Sequence, residues 1–220
     1  MATNYSPSIV KDGLVLHLDA ASPKSYASGS VVWYDLSKNG VNGALTNGPT
    51  FDSSNAGNIT FDGSNDYVNF GTYSPNINTV DVWFKLYGTN SIVCLGNDAN
   101  DSSQWSWSIF RYINSLYIRG NPGGMGSISI DVSNILSKWT NVVMIRRRAS
   151  DSKCAAYING KFYNSSNDST LTDTYPNLRI GKGGTNYTSM SLSCLRLYNR
   201  ELSESEIFQN YNATKGRFNL

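Results

Sequence analysis

Residues 79–198 are made of short runs rich in β-branched and aromatic side chains, each closed within a few residues by Gly, Asn, Asp, Ser or Pro. The runs fall at 79–86, 91–95, 105–112, 115–119, 127–132, 140–147, 154–159, 178–180 and 191–198. A helix needs apolar residues three and four apart over a longer window, which almost none of these runs offers, whereas alternation over a few positions suits a half-buried strand. So many short strands at regular spacing predict an all-β chain, a two-layer antiparallel β-sandwich or jelly roll. At 220 residues, the chain can bury about 70% of its unfolded surface, so one core and a single domain are expected.

Ahead of this array, residues 1–12 carry no period, and their Ser, Pro and Asn predict an extended arm, free to dock on a partner, before a domain over 13–220. From Gly13, Leu14, Leu16 and Leu18 alternate with Val15, His17 and Asp19, which marks a strand. In residues 59–70, Ile59 and Phe61 share one face and Val68 and Phe70 another. Between them, Asp62-Gly63-Ser64-Asn65-Asp66 supplies residues that accept positive φ or bond their own backbone, so a hairpin that organises the fold is expected. Ile158-Asn159-Gly160-Lys161-Phe162 predicts a second hairpin, with Asn-Gly at the turn. One helix is specified: Ser203 and Glu206 form a capping box, Leu202 and Ile207 stand at the positions of a hydrophobic staple, and Gly216 offers a stop. Ile207, Phe208 and Tyr211 give it an apolar side to lay on the sandwich.

Only 15% of residues are charged and the formal net charge is +2, too little for a nucleic-acid reader that must neutralise many phosphates. The first residues lack the basic and apolar regions of an export signal, and no apolar run approaches the ~18 residues of a membrane span. A soluble protein with no visible export signal and no nucleic-acid or membrane partner is expected. Cys94, Cys154 and Cys194 share no metal-ligand spacing and cannot all pair; they read as small buried hydrophobes from a reducing compartment, with one disulfide as the alternative. Arg146-Arg147-Arg148 ends an apolar strand, and alternation splits it between two faces, which predicts a solvated strand end.

Several segments carry a resemblance. Gly13-Leu14-Val15-Leu16-His17-Leu18-Asp19-Ala20, the 33–43 loop, Phe61-Asp62-Gly63 with Asp66-Tyr67-Val68, Trp139-Thr140-Asn141-Val142-Val143, Ala156-Tyr157-Ile158-Asn159-Gly160 and Leu195-Arg196-Leu197-Tyr198-Asn199-Arg200-Glu201-Leu202-Ser203 follow one another as in laminin G-like jelly rolls. By that order the chain resembles the concanavalin A-like lectin/glucanase sandwiches. The wording of 19–26, 45–51 and 209–218 is similar to jelly-roll proteins of tailed bacteriophages. That resemblance implies a virion structural or adhesion protein, made in the host cytoplasm, that meets neighbouring virion proteins and copies of itself, with a trimer suspected because phage appendages commonly use threefold symmetry. The chain departs from the family where an acidic pair usually precedes the Arg-Leu-Tyr stretch: Ser193-Cys194 stand there, which puts any acid- or metal-dependent role of that pair in doubt.

The chemistry on offer is chiefly that of binding. Polysaccharide-cleaving enzymes of this fold need two carboxylates roughly 5 to 10 Å apart on one strand surface. Glutamate occurs only as Glu201, Glu204 and Glu206, in or beside the predicted helix, so a non-enzyme is expected. His17, the only histidine, has no nucleophile motif near it in sequence and reads as structural. Asp98-Ala99-Asn100-Asp101-Ser102-Ser103 is the densest run of oxygen ligands. Asp98, Asn100 and Asp101 could give calcium part of its oxygen shell, as laminin G-like domains often do, although Asx turns account for the same residues and are the preferred reading. Glycan binding wants exposed rings beside a few fixed polar groups. Trp105 and Trp107 point the same way in register with Ile109, which favours a core row, with Trp105 the nearer of the two to the rim. Tyr187, in the Gly183-Gly184-Thr185-Asn186-Tyr187 loop, is the other exposed candidate. The expectation is a non-enzymatic structural protein of a phage virion, a surface, fibre or decoration component. The alternative is a carbohydrate-binding host-adhesion module, calcium-assisted or not, that contacts a host-surface glycan.

Overall fold

The computed structural model describes residues 7–73, 76–87, 95–97, 108–112, 114–119, 127–147, 153–167, 178–183 and 185–220. Its strands, in chain order, are β1 (Leu14–Asp19), β2 (Val32–Trp33), β3 (Gly43–Thr46), β4 (Thr50–Asp52), β5 (Asn58–Asp62), β6 (Tyr67–Asn69), β7 (Thr79–Leu86), β8 (Leu95–Asn97) and β9 (Ser108–Tyr112). Then come β10 (Ser115–Arg119), β11 (Ile128–Asp131), β12 (Thr140–Arg147), β13 (Lys153–Ile158), β14 (Lys161–Asn167), β15 (Leu178–Ile180), β16 (Lys182–Gly183), β17 (Asn186–Tyr187) and β18 (Ser189–Tyr198), followed by helix α1 (Glu204–Thr214). The first sheet runs β14-β13-β12-β7-β18-β5-β4 with β1 also on β18, the second runs β11-β10-β9-β8-β15-β6-β3-β2, and β16-β17 form a small ribbon. Every pairing is antiparallel. The expected two-layer sandwich is present, and the strands foreseen at 79–86, 115–119, 140–147 and 178–180 have those bounds. No helix among the described residues is long and apolar enough to cross a membrane.

The segment read as the organising hairpin is a corner between layers. β5 pairs with β18 and β4 in the first sheet, while β6 pairs with β15 and β3 in the second. Ile59, Phe61 and Val68 are wholly buried, because each strand turns its alternate residues toward the core from opposite sides. Alternation identifies the buried face of a strand but not its partner, so the same pattern fits a hairpin and a sheet switch. The turn is closed by its own side chains: Ser64 N donates to Asp62 Oδ1 at 2.7 Å, Asp62 N donates to Asp66 Oδ2 at 3.0 Å, and Gly63 takes φ 82. The second hairpin is as expected, with Ile158 opposite Lys161 and positive φ at Asn159 (49) and Gly160 (75), the type I′ geometry.

The inner faces of both sheets form the main core, from Leu16 and Leu18 through Phe84 and Ile118 to Leu195 and Leu197. The outer face of the first sheet is buried too, under α1 and the turn after it. Both halves of the capping box are made, and Leu202 and Ile207 are buried in one small cluster with Val10, Tyr157 and Tyr198. Two details of the helix differ from expectation. Phe208 is 51% exposed, and the inward positions belong to Ile207, Asn210 and Thr214, because α1 lies over charged groups and must supply a donor to one and an acceptor to the other. Gly216 does not stop the helix; it sits inside a 3-10 turn (Lys215–Phe218) that ends at Asn219 in a left-handed conformation (φ 58).

Those charged groups are Asp81 and Arg196, each 1% exposed. Arg196 Nη1 lies 3.0 Å from Asp81 Oδ2, and the carboxylate also accepts from Asn141 Nδ2 at 2.8 Å and Asn210 Nδ2 at 3.1 Å. Arg196 Nη2 donates to Thr214 Oγ1 at 2.7 Å. The described part of the arm docks on the chain's own helix instead of remaining free: Gln209 Nε2 donates to Ser8 O at 2.6 Å and Val10 N to Asn210 Oδ1 at 2.8 Å. Arg146 is likewise not at a solvated end. It is 1% exposed and donates from Nη1 to Ile77 O at 3.3 Å. Cys154 and Cys194 are both buried and not joined to each other, in keeping with the reading favoured from sequence; Cys94 lies outside the described residues.

Candidate functional site

Of the residues singled out from sequence, Asp98, Asn100, Asp101, Trp105 and Trp107 lie outside the described residues. Among the described residues, no three His, Cys, Asp or Glu side chains gather to hold a metal ion. Tyr187 is described, and it does not stand alone. On β6, Val68 turns into the core while Tyr67 and Asn69 turn outward; on β15, Leu178 and Ile180 turn in and Arg179 turns out. Arg179 faces Asn69 across the ladder, which puts it diagonal to Tyr67 on the outer surface of the second sheet. The β16-β17 ribbon then sets Lys182 opposite Tyr187, with Thr188 N bonded to Gly181 O at 2.9 Å.

The result is a compact group of half-buried side chains. The Tyr67 and Tyr187 rings lie 6.4 Å apart, tilted by 48°. Lys182 Nζ sits 5.2 Å from the Tyr67 centroid and 5.6 Å from that of Tyr187, and Arg179 Cζ is 5.7 Å from Tyr67. Each ammonium-to-ring distance is within reach of cation–π attraction. Sequence reasoning found Tyr187 and missed Tyr67 and Lys182. The signal for Lys182 was present in the glycine-rich 183–187 run, since the pairing of Gly183 with Asn186 brings Lys182 and Tyr187 face to face.

Two carboxylates precede Tyr67, and both bond the backbone of their own turn. The Ser64 backbone amide holds Asp62 below the usual carboxylate range. Burial raises Asp66, which is 4% exposed and bonded to the Asp62 amide.

A second concavity, a cleft of about 840 Å³, opens between the arm at Ile9 and Lys11, the Val15–His17 part of β1 and the loop at Lys38 and Asn39. The β1 register slips between Leu14 and Leu16, a bulge that turns the Val15 carbonyl to the loop. There it accepts from Asn39 Nδ2 at 2.9 Å, Ser37 Oγ at 3.1 Å and Tyr73 OH at 3.1 Å. His17 lines this cleft with Nε2 buried and unpartnered. Burial, with the charge of Arg196 second, lowers its pKa from 6.5 to about 4. Burial pushes the Cys194 thiol up to about 12, so both groups stay neutral near pH 7 and do not form the thiolate–imidazolium pair of a cysteine nucleophile.

The neutral histidine gives a pH prediction. Above pH 6.5 neither folded nor unfolded His17 is charged, and it contributes nothing. Between pH 6.5 and about 4 the unfolded state binds the proton and the folded state does not, so stability falls with acidification by at most about 3 kcal/mol. Urea midpoints at pH 7.5 and 4.5 should converge for His17→Gln relative to the parent; equal pH dependence in the two proteins would contradict this.

With the geometry in hand, comparison with known proteins places the architecture. A family model described as the concanavalin A-like lectin/glucanases superfamily matches residues 41–208. Among solved structures, the receptor binding domain of the botulinum neurotoxin C/D mosaic serotype is similar, with a TM-score of 0.71 at 14% identity over 92% of this chain and 51% of that one. Trypanosoma rangeli sialidase in complex with sialic acid gives 0.68 at 16% over 93% of this chain and 33% of that one. The binding domain of Paraclostridial mosquitocidal protein 1 gives 0.66 at 19% over 92% and 52%. The chain thus spans about a third to a half of these longer chains, and the likeness is one of fold. A search of curated protein sequences finds no match.

Proposed function

The chain belongs to the concanavalin A-like lectin/glucanases superfamily, and from that premise we propose that it is a glycan-recognising domain that holds its ligand without cleaving it. The observation that carries this reading is the Tyr67–Tyr187 pair with Lys182 between the rings on the outer face of the second sheet. Two tilted, half-exposed rings offer apolar surface for the C–H face of a sugar, and the ammonium beside them offers a fixed donor for its oxygens. Support from the fold runs the same way: one similar structure holds sialic acid, and botulinum neurotoxin type C, another, depends for cell entry on two ganglioside molecules.

The test is a glycan array followed by calorimetry on the strongest hit. Tyr67→Ala and Tyr187→Ala should each weaken binding by about tenfold, the loss of one well-packed ring contact, while leaving the urea midpoint near that of the parent. A flat array, or binding indifferent to both substitutions, overturns the reading. Running the array with and without EDTA shows whether a calcium ion at the Asp98 run takes part. A reducing-sugar assay on bound glycans should show no release.

A second reading comes from the phage-like wording of 19–26, 45–51 and 209–218, which supports a structural component of a virion that meets copies of itself or other virion proteins. The two are compatible, since an appendage protein can also be the adhesin. Mass spectrometry of purified particles decides it: a protein missing from the virion has no structural part in it.

A further inference from the structure

We infer that the Tyr67–Tyr187 site selects acidic glycans, those whose sugar carries a carboxylate, over neutral ones. The inference rests on the glycan reading above and adds the charge of the ligand to it. Lys182 Nζ lies within 6 Å of two ring centroids and forms no ion pair among the described residues. Rings on two sides strip part of its water without supplying a counter-charge, so a carboxylate arriving there gains more than it would from a fully hydrated lysine. Arg179 lies on the same surface, 5.7 Å from the Tyr67 ring.

The two carboxylates that precede Tyr67 form no ion pair with Lys182. Asp62 accepts from the amides of Ser64 and Asn65, and Asp66 from that of Asp62, so both bond the backbone of their own turn. A sugar with its ring over Tyr187 and its carboxylate on Lys182 would use the rings and the charge at once; a neutral sugar would use the rings and an ordinary hydrogen bond from the ammonium, without the charge pairing.

The experiment compares sialyllactose, a glucuronate-terminated disaccharide and lactose by calorimetry at two salt concentrations, using the full chain, Lys182→Gln and Lys182→Arg. The parent should prefer the acidic sugars by about tenfold at low salt, the scale of one charge-assisted contact, and less at high salt. Lys182→Gln should bring that ratio toward one by weakening the acidic sugars more than lactose, and Lys182→Arg should restore part of it. Equal affinity for acidic and neutral sugars, with binding still dependent on Tyr187, overturns this inference and spares the glycan reading. Equal losses for lactose and sialyllactose in Lys182→Gln also overturn it. If none of the three sugars and no array glycan binds the parent, the glycan reading fails and this inference with it.

Discussion

Replacing Asp81 by alanine is expected to destabilise the fold by about 3–5 kcal/mol, the cost of leaving a buried charge without its partner. The carboxylate holds three donors, Arg196 Nη1, Asn141 Nδ2 and Asn210 Nδ2, from two neighbouring strands and the helix. Its loss strands an arginine that is 1% exposed, together with two buried amides. Arg196 Nε already has no partner, and the amide oxygen Asn141 Oδ1 offers the stranded arginine one neutral acceptor in place of a carboxylate, which does not restore the lost charge. The measurement is equilibrium urea unfolding followed by circular dichroism at pH 7. The paired change, Asp81→Leu with Arg196→Met, removes both charges in a similar volume and should recover much of the loss. A fall of less than about 1 kcal/mol for Asp81→Ala, the range of an exposed ion pair, would mean that water reaches the cluster and that α1 does not seal it.

That cluster also shows where sequence reasoning stops. The β7, β12 and β18 runs are legible because alternation is local, and the helix start is legible because Ser203, Glu206, Leu202 and Ile207 lie within six residues. What the helix covers is not local. Asp81, Asn141, Arg196 and Asn210 come together only through sheet order and helix placement, so Asn210 and Thr214 face inward while the more apolar Phe208 does not. The same limit hid the sheet switch at 59–70, and it hid Arg146, whose strand-end position suggested water. At the candidate site, Lys182 and Tyr187 are paired by a turn the sequence shows. Tyr67 joins them from another strand through tertiary placement, which periodicity does not encode.

Phe218→Ala should cost about as much, roughly 3–5 kcal/mol for a buried ring, but the damage should stay at one face. Phe218 is 7% exposed and stacks on Trp83 at 4.4 Å and 19°, with Trp139 at 4.7 Å and tilted by 34°. Tyr211 covers another part of Trp83 at 5.6 Å and 8°, and Cys194 is buried in the same cluster. Next to Phe218, Arg217 binds Asp19 through both oxygens at 2.7 and 2.8 Å. Burial alone would raise the Asp19 carboxyl, but the bonds and charge of Arg217 hold it below the usual range. Truncating the ring therefore loosens the 3-10 turn, weakens that ion pair and opens a path to the Cys194 thiol. Reaction with a thiol reagent under native conditions should become measurable at Cys194 in Phe218→Ala, while Phe218→Leu, which keeps most of the volume, should lose about 1 kcal/mol and stay protected. The tyrosine pair lies on the outer face of the other sheet, so glycan affinity per folded molecule should be unchanged in both variants. A Phe218→Ala protein with the parent's midpoint and an unreactive Cys194 would show that Tyr211 and Trp139 close this face without Phe218.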